Sequence, residues 1–525
     1  MTRYRASAWG WLAAFALLTA GGCVSDLRPD YPRTPSQATP ASDDSKLTGY
    51  VGRLVAQHPG ESGLRLVSDA SEALLARVAL ADRAVHTLDV QYYIFHSDAT
   101  GKLLARQMLA AADRGVRVRV LLDDLHVAGK DDVIVALDGH RNIQIRLFNP
   151  FLSRSSSIFG MGFQFATDFS RLNRRMHNKA FIVDGAIAIV GGRNIGDEYF
   201  DADHKVNFRD LDVLAIGPVV GQTEQVFDAY WNSGQSYPIR AFHEEPPKTT
   251  LSAVRQSLGK AARQFRHSDY AQNLVSRAGD IGTEEGVDSW DWGNAEFISD
   301  APSKGDPKQD GEDTSMRMAP QLRRWVDGTQ HRLTIISPYF IPGKKGVAYL
   351  DGLRQRGVDV AVLTNSLAST DAGGVYEAYA SYRPPLLASG VVIYELKPAQ
   401  AGVDPGGSFG SSSGVSLHAK AIVVDDTHVF VGSMNLDPRS RDLNTEDGVI
   451  ADSPALARSV LGMFAEATTP ENAYRVQLSP GSRTSVFWES MENGKLVRYN
   501  HAPETTWWRR FKTGFMAVMP IEGLL

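Results

Sequence analysis

Residues 176–194 read Met176-His-Asn-Lys-Ala-Phe-Ile-Val-Asp-Gly-Ala-Ile-Ala-Ile-Val-Gly-Gly-Arg-Asn194, and residues 417–435 read Leu417-His-Ala-Lys-Ala-Ile-Val-Val-Asp-Asp-Thr-His-Val-Phe-Val-Gly-Ser-Met-Asn435. His177, Lys179, Asp184, Gly191 and Asn194 return as His418, Lys420, Asp425, Gly432 and Asn435, each 241 positions later. A lone His-x-Lys carries no information; two copies with Asp, Gly and Asn in register leave little to chance. His and Lys two apart on a strand share a face. An apolar run then continues the strand into a core, Asp184-Gly185 marks a turn, and Ile187 to Val190 returns. Gly191-Gly192 permits a close backbone approach that brings Asn194 back to the face of His177 and Lys179.

The repeat extends upstream. Leu88 to Phe95 is an aromatic and β-branched strand, Gly101 to Asp113 has helical apolar spacing, and Arg114-Gly-Val begins a second strand. Leu333 to Phe340, Gly346 to Gln355 and Arg356-Gly-Val repeat that order. Strands alternating with helices predict an α/β chain of two similar halves, each a mainly parallel sheet flanked by helices, related by a pseudo-two-fold axis with one shared active site.

Facing the halves assembles two imidazoles, two ammonium groups and two amides around one point. Such a site suits a phosphodiester: lysines and asparagine amides hold the non-bridging oxygens, one histidine attacks phosphorus and the other protonates the leaving oxygen. No cluster of metal ligands is visible, so the lysines take the role a metal often has, and no cofactor is expected. A histidine nucleophile needs a carboxylate to orient it. Aligning Val213-Leu-Ala-Ile-Gly-Pro218 with Val449-Ile-Ala-Asp-Ser-Pro454 pairs Asp210 with Glu446, which lie 33 and 28 residues after their histidines, with Asp212 a rival for Asp210.

The doubled His-x-Lys-x4-Asp-x6-Gly-[Gly/Ser]-x-Asn pattern resembles the phospholipase D superfamily. The resemblance implies a phosphohistidine intermediate, with His177 as nucleophile and His418 as acid. The catalytic set carried over is His177, Lys179, Asp184, His418, Lys420 and Asp425, the two aspartates steadying turns, with Asn194, Asn435, Asp210 and Glu446 in support. Asp168 to Lys179, Gly191 to Asp197, Asp212 to Val220, Leu363 to Ala368, Asp437 to Ser440 and Asn444 to Glu446 are similar to the bacterial cardiolipin synthases of type C. That similarity implies transfer of a phosphatidyl group onto phosphatidylglycerol, with phosphatidylethanolamine as donor. The alternative is a phospholipase D in which water is the acceptor; a nucleic-acid phosphodiesterase and an inactive lipid-binding protein are the remaining readings.

The chain has 525 residues, 43% hydrophobic and 22% charged, which excludes a wholly disordered chain and a polytopic membrane protein. With 55 Lys+Arg against 60 Asp+Glu its net charge of −5 disfavours a nucleic-acid partner. Its single cysteine, Cys23, excludes a disulfide framework. Arg3, Arg5, the apolar run Ala6 to Ala20 and Leu-Thr-Ala-Gly-Gly-Cys23 resemble a bacterial lipoprotein signal, the alternative being an uncleaved anchor. Either places the body in the cell envelope, facing the periplasm, at a membrane surface.

The expected organisation is a signal peptide over 1–23, a disordered tether over 24–55 rich in Ser, Thr, Asp and Pro, a first half over 56–242, a connecting segment over 243–312, a second half over 313–480 and a C-terminal segment over 481–525. In the last, Trp507, Phe511, Phe515 and Met519 either form an interfacial helix or pack on the body. Arg171, Arg174 and Arg175 either attract anionic headgroups or flank a strand.

Overall fold

The computed structural model describes residues 26–39, 41, 45–127, 130–154, 158–243, 246–274, 290–309, 314–398 and 414–505. The lipoprotein-type signal with Cys23, and the aromatic segment from Trp507 onward, lie outside the described residues. Among those described, no helix is long and apolar enough to cross a membrane.

The first half carries β1 (Ser62–Val67), β2 (Thr87–Tyr92), β3 (Arg117–Asp123), β4 (Ile143–Phe148), β5 (Ala180–Val183), β6 (Ile187–Gly191), β7 (Asn207–Arg209), β8 (Asp212–Ile216) and β9 (Ser236–Pro238). The second carries β10 (Asp291–Ser299), β11 (Arg332–Ile336), β12 (Asp359–Asn365), β13 (Val392–Leu396), β14 (Val415–Leu417), β15 (Ala421–Val424), β16 (His428–Gly432), β17 (Asp447–Asp452), β18 (Ala473–Leu478), β19 (Val486–Glu492) and β20 (Lys495–Tyr499). The strands other than β7 and β14 form one 18-stranded sheet. Followed by pairing, its order is β9-β4-β3-β2-β5-β6-β8-β1, then β10-β17-β16-β15-β11-β12-β13-β18-β19-β20. The two runs mirror one another about the β1–β10 contact, which is the expected pseudo-two-fold.

Within the 18-stranded sheet, parallel pairing is confined to three strands in each half, β2–β3–β4 and β11–β12–β13. The strands that carry the motifs are antiparallel, because the turns at Asp184-Gly185 and Asp425-Asp426 join β5 to β6 and β15 to β16 as tight hairpins. Asp184 and Asp425 have φ of 51° and 50° at these turns, a conformation that Asp tolerates better than most residues.

A core between the halves holds Leu64, Ile182, Val190, Val213, Val431 and Val449, covered by Phe227 of the helix Pro218–Trp231 and Leu456 and Val460 of the helix Pro454–Ala467. Each of these helices opens on its Pro, where a missing N–H costs nothing. Separate apolar layers lie on the outer face of each half, around Leu88, Val118 and Leu147 and around Leu333, Val360 and Ile393.

Three expected boundaries change. The segment 243–312 is not only a connection, because β10 is the first strand of the second half, in the place that β1 holds in the first. Its Phe297 and Ile298 are buried side by side at one end of a mixed pattern, so neither alternation nor an apolar run announced it. The second half also runs past 480, since β19 and β20 extend its sheet. The disordered tether is corrected as well. Lys46–Ala56 is a helix closed at its start by a Ser45–Thr48 capping box. Residues 26–39 lie along the first half as an extended strap. Arg146 donates to the Thr34 carbonyl (2.6 Å), Arg117 to that of Gln37 (2.8 Å), and the Ala38 N–H donates to Asp228 (2.7 Å). A count of apolar residues misses this attachment, which is made by strand arginines gripping strap carbonyls.

Candidate active site

Two short parallel pairings stitch the halves together. Met176 bridges Thr445, and β14 lies beside β7 with Leu417 opposite Arg209. The backbone N–H of His177 donates to Thr445 O (2.9 Å), and that of His418 to Arg209 O (2.7 Å). Each histidine thus follows a residue paired with the one preceding the other half's carboxylate. The carboxylates are exchanged: His177 Nδ1 bonds Glu446 Oε2 at 2.8 Å, and His418 Nδ1 bonds Asp210 Oδ2 at 2.5 Å. Both acids are almost wholly buried. With Nδ1–H donated to a carboxylate, Nε2 is left on each ring as the atom with a free lone pair.

The lysines stand in the same cluster. Lys179 Nζ donates to the His177 carbonyl (2.6 Å), and Lys420 Nζ lies 2.8 Å from His418 Nδ1 and also donates to the His418 carbonyl. The main-chain N–H of Lys179 donates to Asp447 (3.1 Å), linking the halves again. Burial lowers Lys179 to about 8 and Lys420 to about 7, against the pull of Glu446 and Asp447 on the first and of Asp210 on the second. Burial likewise brings His177 down to about 4 despite Glu446, and lowers His418, helped by the Lys420 charge. Both imidazoles are therefore neutral near pH 7. Asp210 and Glu446 are held below the ordinary carboxylate range by their histidine and lysine neighbours, although burial opposes this. Lys420 acts on His177 and Lys179 on His418, so the two lysines and two imidazoles form one electrostatic unit.

Glycine geometry makes the carboxylate positions possible. A Cβ at Gly192 would stand 2.1 Å from Asp210 Oδ1. In the second half this place is Ser433, whose hydroxyl donates to Glu446 Oε2 at 2.5 Å, while Ser440 Oγ donates to Oε1 at 2.7 Å. The Glu446 N–H is held by Asp300 (3.0 Å), which also pairs with Lys304 (2.8 Å). Rings pack on each histidine: Tyr93 on His177 with centroids 5.0 Å apart, and Tyr199 and Phe208 on His418 at 5.3 and 5.2 Å.

The other sequence candidates divide. Asp184 and Asp425 do not join the cluster. Asp184 accepts the N–H groups of Val85, His86 and Thr87, and Asp425 those of Gln330, His331 and Arg332. They anchor the hairpin ends, where the sequence reading set them to steady the turns, and make no contact with the histidines or lysines among the described residues. Asn194 bonds within the protein, donating to Tyr199 Oη (3.0 Å) and accepting from Ile94 N (3.2 Å). Asn435 is buried with Oδ1 lacking a partner among the described residues. Asp212, the rival of Asp210, pairs with Arg77 and Arg193 at 3.0 Å each. Arg174 and Arg175 are buried and donate to carbonyls of Lys304 and Asn149, so they do not face a headgroup.

Ser433, Ser440, Asp300, Asp447 and Tyr93 escaped the sequence reading. Among the described residues one group has metal-ligand chemistry, His96, Asp98 and Glu198, with ligand atoms within 4.8 Å of one another. Its members already serve the protein: Asp98 accepts the N–H groups of Gly101 and Asp197, and Glu198 pairs with His96 at 3.2 Å.

Comparison with known proteins agrees with this geometry. A family model described as "Cardiolipin synthase, PLD-like domain" matches residues 78–231 and 322–467. Cardiolipin synthase C of Escherichia coli K12 is 39% identical over 491 residues, covering 91% of this chain and 100% of that protein. Cardiolipin synthase A of Pseudomonas entomophila is 28% identical over 406 residues, 76% of this chain and 67% of that one. The crystal structure of a phosphatidylserine synthase from Haemophilus influenzae shares the fold, with a TM-score of 0.56 at 12% identity over 91% of this chain and 100% of that one. With both halves matched and both motifs brought to one cluster, the chain belongs to the phospholipase D-like family of the cardiolipin synthases.

Proposed function

We propose that this protein is a phosphatidyltransferase of the cardiolipin synthase type, acting through a phosphohistidine on His177. The observation that carries the reading is the exchanged pair of His–carboxylate contacts beside two buried lysines. Neutral His177, oriented by Glu446, presents Nε2 to the phosphorus of a donor lipid, and Glu446 stabilises the imidazolium that forms. Lys179 and Lys420 stabilise charge on the non-bridging oxygens. A bound phosphodiester anion raises His418 and both lysines, as any anion does to cations beside it. His418 then protonates the departing headgroup alcohol, and afterwards takes the proton of a phosphatidylglycerol hydroxyl as that oxygen attacks the phosphohistidine. The names of the relatives support cardiolipin as product; phosphatidylglycerol as acceptor and phosphatidylethanolamine as donor rest on the resemblance of the motifs. The lipoprotein-like N-terminus supports a place at the envelope membrane, with Cys23 as its anchor.

The test is product analysis. The purified full chain is mixed with labelled phosphatidylethanolamine and phosphatidylglycerol in EDTA, and lipids are resolved by mass spectrometry. Cardiolipin that disappears in His177→Ala is the expected result. Phosphatidic acid as sole product would make the protein a hydrolase and overturn the transferase reading. A rapid-quench digest should carry the phosphatidyl adduct on the peptide containing His177.

A further inference from the structure

We infer that the first half holds one acyl chain of the phospholipid in an apolar cavity that a line of ring contacts joins to His177, an inference that rests on the phosphatidyltransferase reading. The cavity measures about 490 Å³, within the range of about 300–1,000 Å³ common for ligand sites. Its walls include Val120, Leu122, Ile134, Ile145, Val254 and Leu258. They come from the sheet and from the helices Ala99–Asp113, Asp131–Asp138 and Leu251–Arg266, which roof it. Its lining also includes the polar residues His96, Ser97, Lys102 and Lys130. Lys102 makes no ion pair among the described residues, and Lys130 donates to the His126 carbonyl (3.0 Å). An apolar cavity with two lysines in its lining fits an amphiphile with an anionic head and a hydrocarbon tail.

Ring contacts join the cavity wall to the reacting centre. The Tyr93 ring lies 5.0 Å from those of both His177 and His126, and the His126 ring lies 6.3 Å from that of His96 in the lining. The chain of a lipid whose phosphorus sits at His177 would run along these rings to enter the cavity. The pseudo-two-fold supplies an internal comparison. Phe95, which lines the cavity, bridges Ile195, as Phe340 bridges Leu436 in the second half. The space beside Phe340 measures only about 10 Å³, since Tyr376 and Tyr379 fill it. Among the described residues the cavity beside Phe95 is thus far larger than the space beside Phe340, and it belongs to the half that carries His177, the proposed site of covalent donor binding.

The experiment fills the cavity with Ala105→Trp and, at a half-exposed lining position, Val133→Trp, each first checked for an unchanged melting temperature. Transfer rates are measured with dioleoyl and dihexanoyl lipids, and binding with pyrenedecanoyl lysophosphatidylglycerol. The expected result is that the dioleoyl-to-dihexanoyl rate ratio falls about tenfold in either variant, from the loss of a few buried methylenes. Saturable probe binding should be lost in both variants and retained in His177→Ala. Folded variants that keep both ratio and binding would overturn the cavity assignment and leave the proposed function standing. Probe binding lost in both variants, in a protein that turns over neither lipid, would support the chain site and overturn the enzymatic reading instead.

Discussion

Replacing Glu446 by Gln removes one charge from a site with no exposed side-chain surface. His177 Nδ1 sits 2.8 Å from Glu446 Oε2, and the ring becomes cationic when Nε2 bonds phosphorus. Two unit charges about 4 Å apart attract by about 4 kcal/mol at an effective dielectric of ~20. A hydrogen bond to a charged partner is worth about 1.5–3 kcal/mol on its own scale. The two figures describe the same contact, so the loss is about 3 kcal/mol and the expected fall in kcat is about 10²-fold. Gln also brings an amide donor that competes for the Nδ1 lone pair and favours the wrong tautomer. The assay is single-turnover transfer from a natural lipid and from a p-nitrophenyl phosphodiester, whose leaving group needs no proton. Asp210→Asn, which disturbs the acid His418, should be slow on the lipid and recover with p-nitrophenyl. Glu446→Gln should be slow on both. A Glu446→Gln rate within about threefold of wild type would refute the electrostatic argument, and recovery of Glu446→Gln in place of Asp210→Asn would exchange the roles of the two histidines.

Further predictions test separate parts of the site. Gly192→Ala places a methyl 2.1 Å from Asp210 Oδ1 and should lower kcat more than about 10²-fold, whereas Ser433→Ala, which removes one hydrogen bond to Glu446, should cost about tenfold. Asp184→Ala strands three N–H groups of Val85 to Thr87 and should lower stability by about 3 kcal/mol in urea titration, with kcat little changed in the folded fraction. His177 at about 4 keeps its neutral form well into acid, so kcat/KM of the free enzyme should hold its nucleophile down to near that pH. Its folded value lies below the unfolded 6.5, so the unfolded chain binds more protons between the two; that stability is present above pH 6.5 and lost as pH falls toward 4, and His177→Asn should flatten this part of the urea-midpoint profile. Cys23→Ala should move the protein out of the membrane fraction if its N-terminus is lipidated.

Much of the site could be read from residues alone, because a hairpin flanked by His-x-Lys and Gly-x-x-Asn has few ways to fold, and its recurrence 241 positions later implied a facing copy. The alignment of Asp210 with Glu446 also survives in the strand registers, where Gly191 faces Asp212 and Gly432 faces Gly448. What no spacing contains is which half's acid each histidine meets. That depends on the Met176–Thr445 and Leu417–Arg209 pairings, contacts between distant stretches whose side chains show no complementary pattern. The strap over residues 26–39 was hidden for a related reason. Its partners are Arg117, Arg119 and Arg146, which read as outward-facing polar positions of strands until the carbonyls they hold are known. The aspartates of the repeat were legible as turn residues, and at positive φ they close those turns.

Exchange of the carboxylates has a consequence for how activity depends on concentration. A half on its own would hold a histidine whose acid belongs elsewhere, so two separate halves would form a working centre only when they met, and would lose it on dilution. Joining them in one chain makes that meeting intramolecular and the centre indifferent to dilution. It also releases the two copies from having to be identical. Gly192 beside Asp210 and Ser433 beside Glu446, an open cavity on one side and tyrosines filling it on the other, are differences that a pair of identical subunits could not maintain.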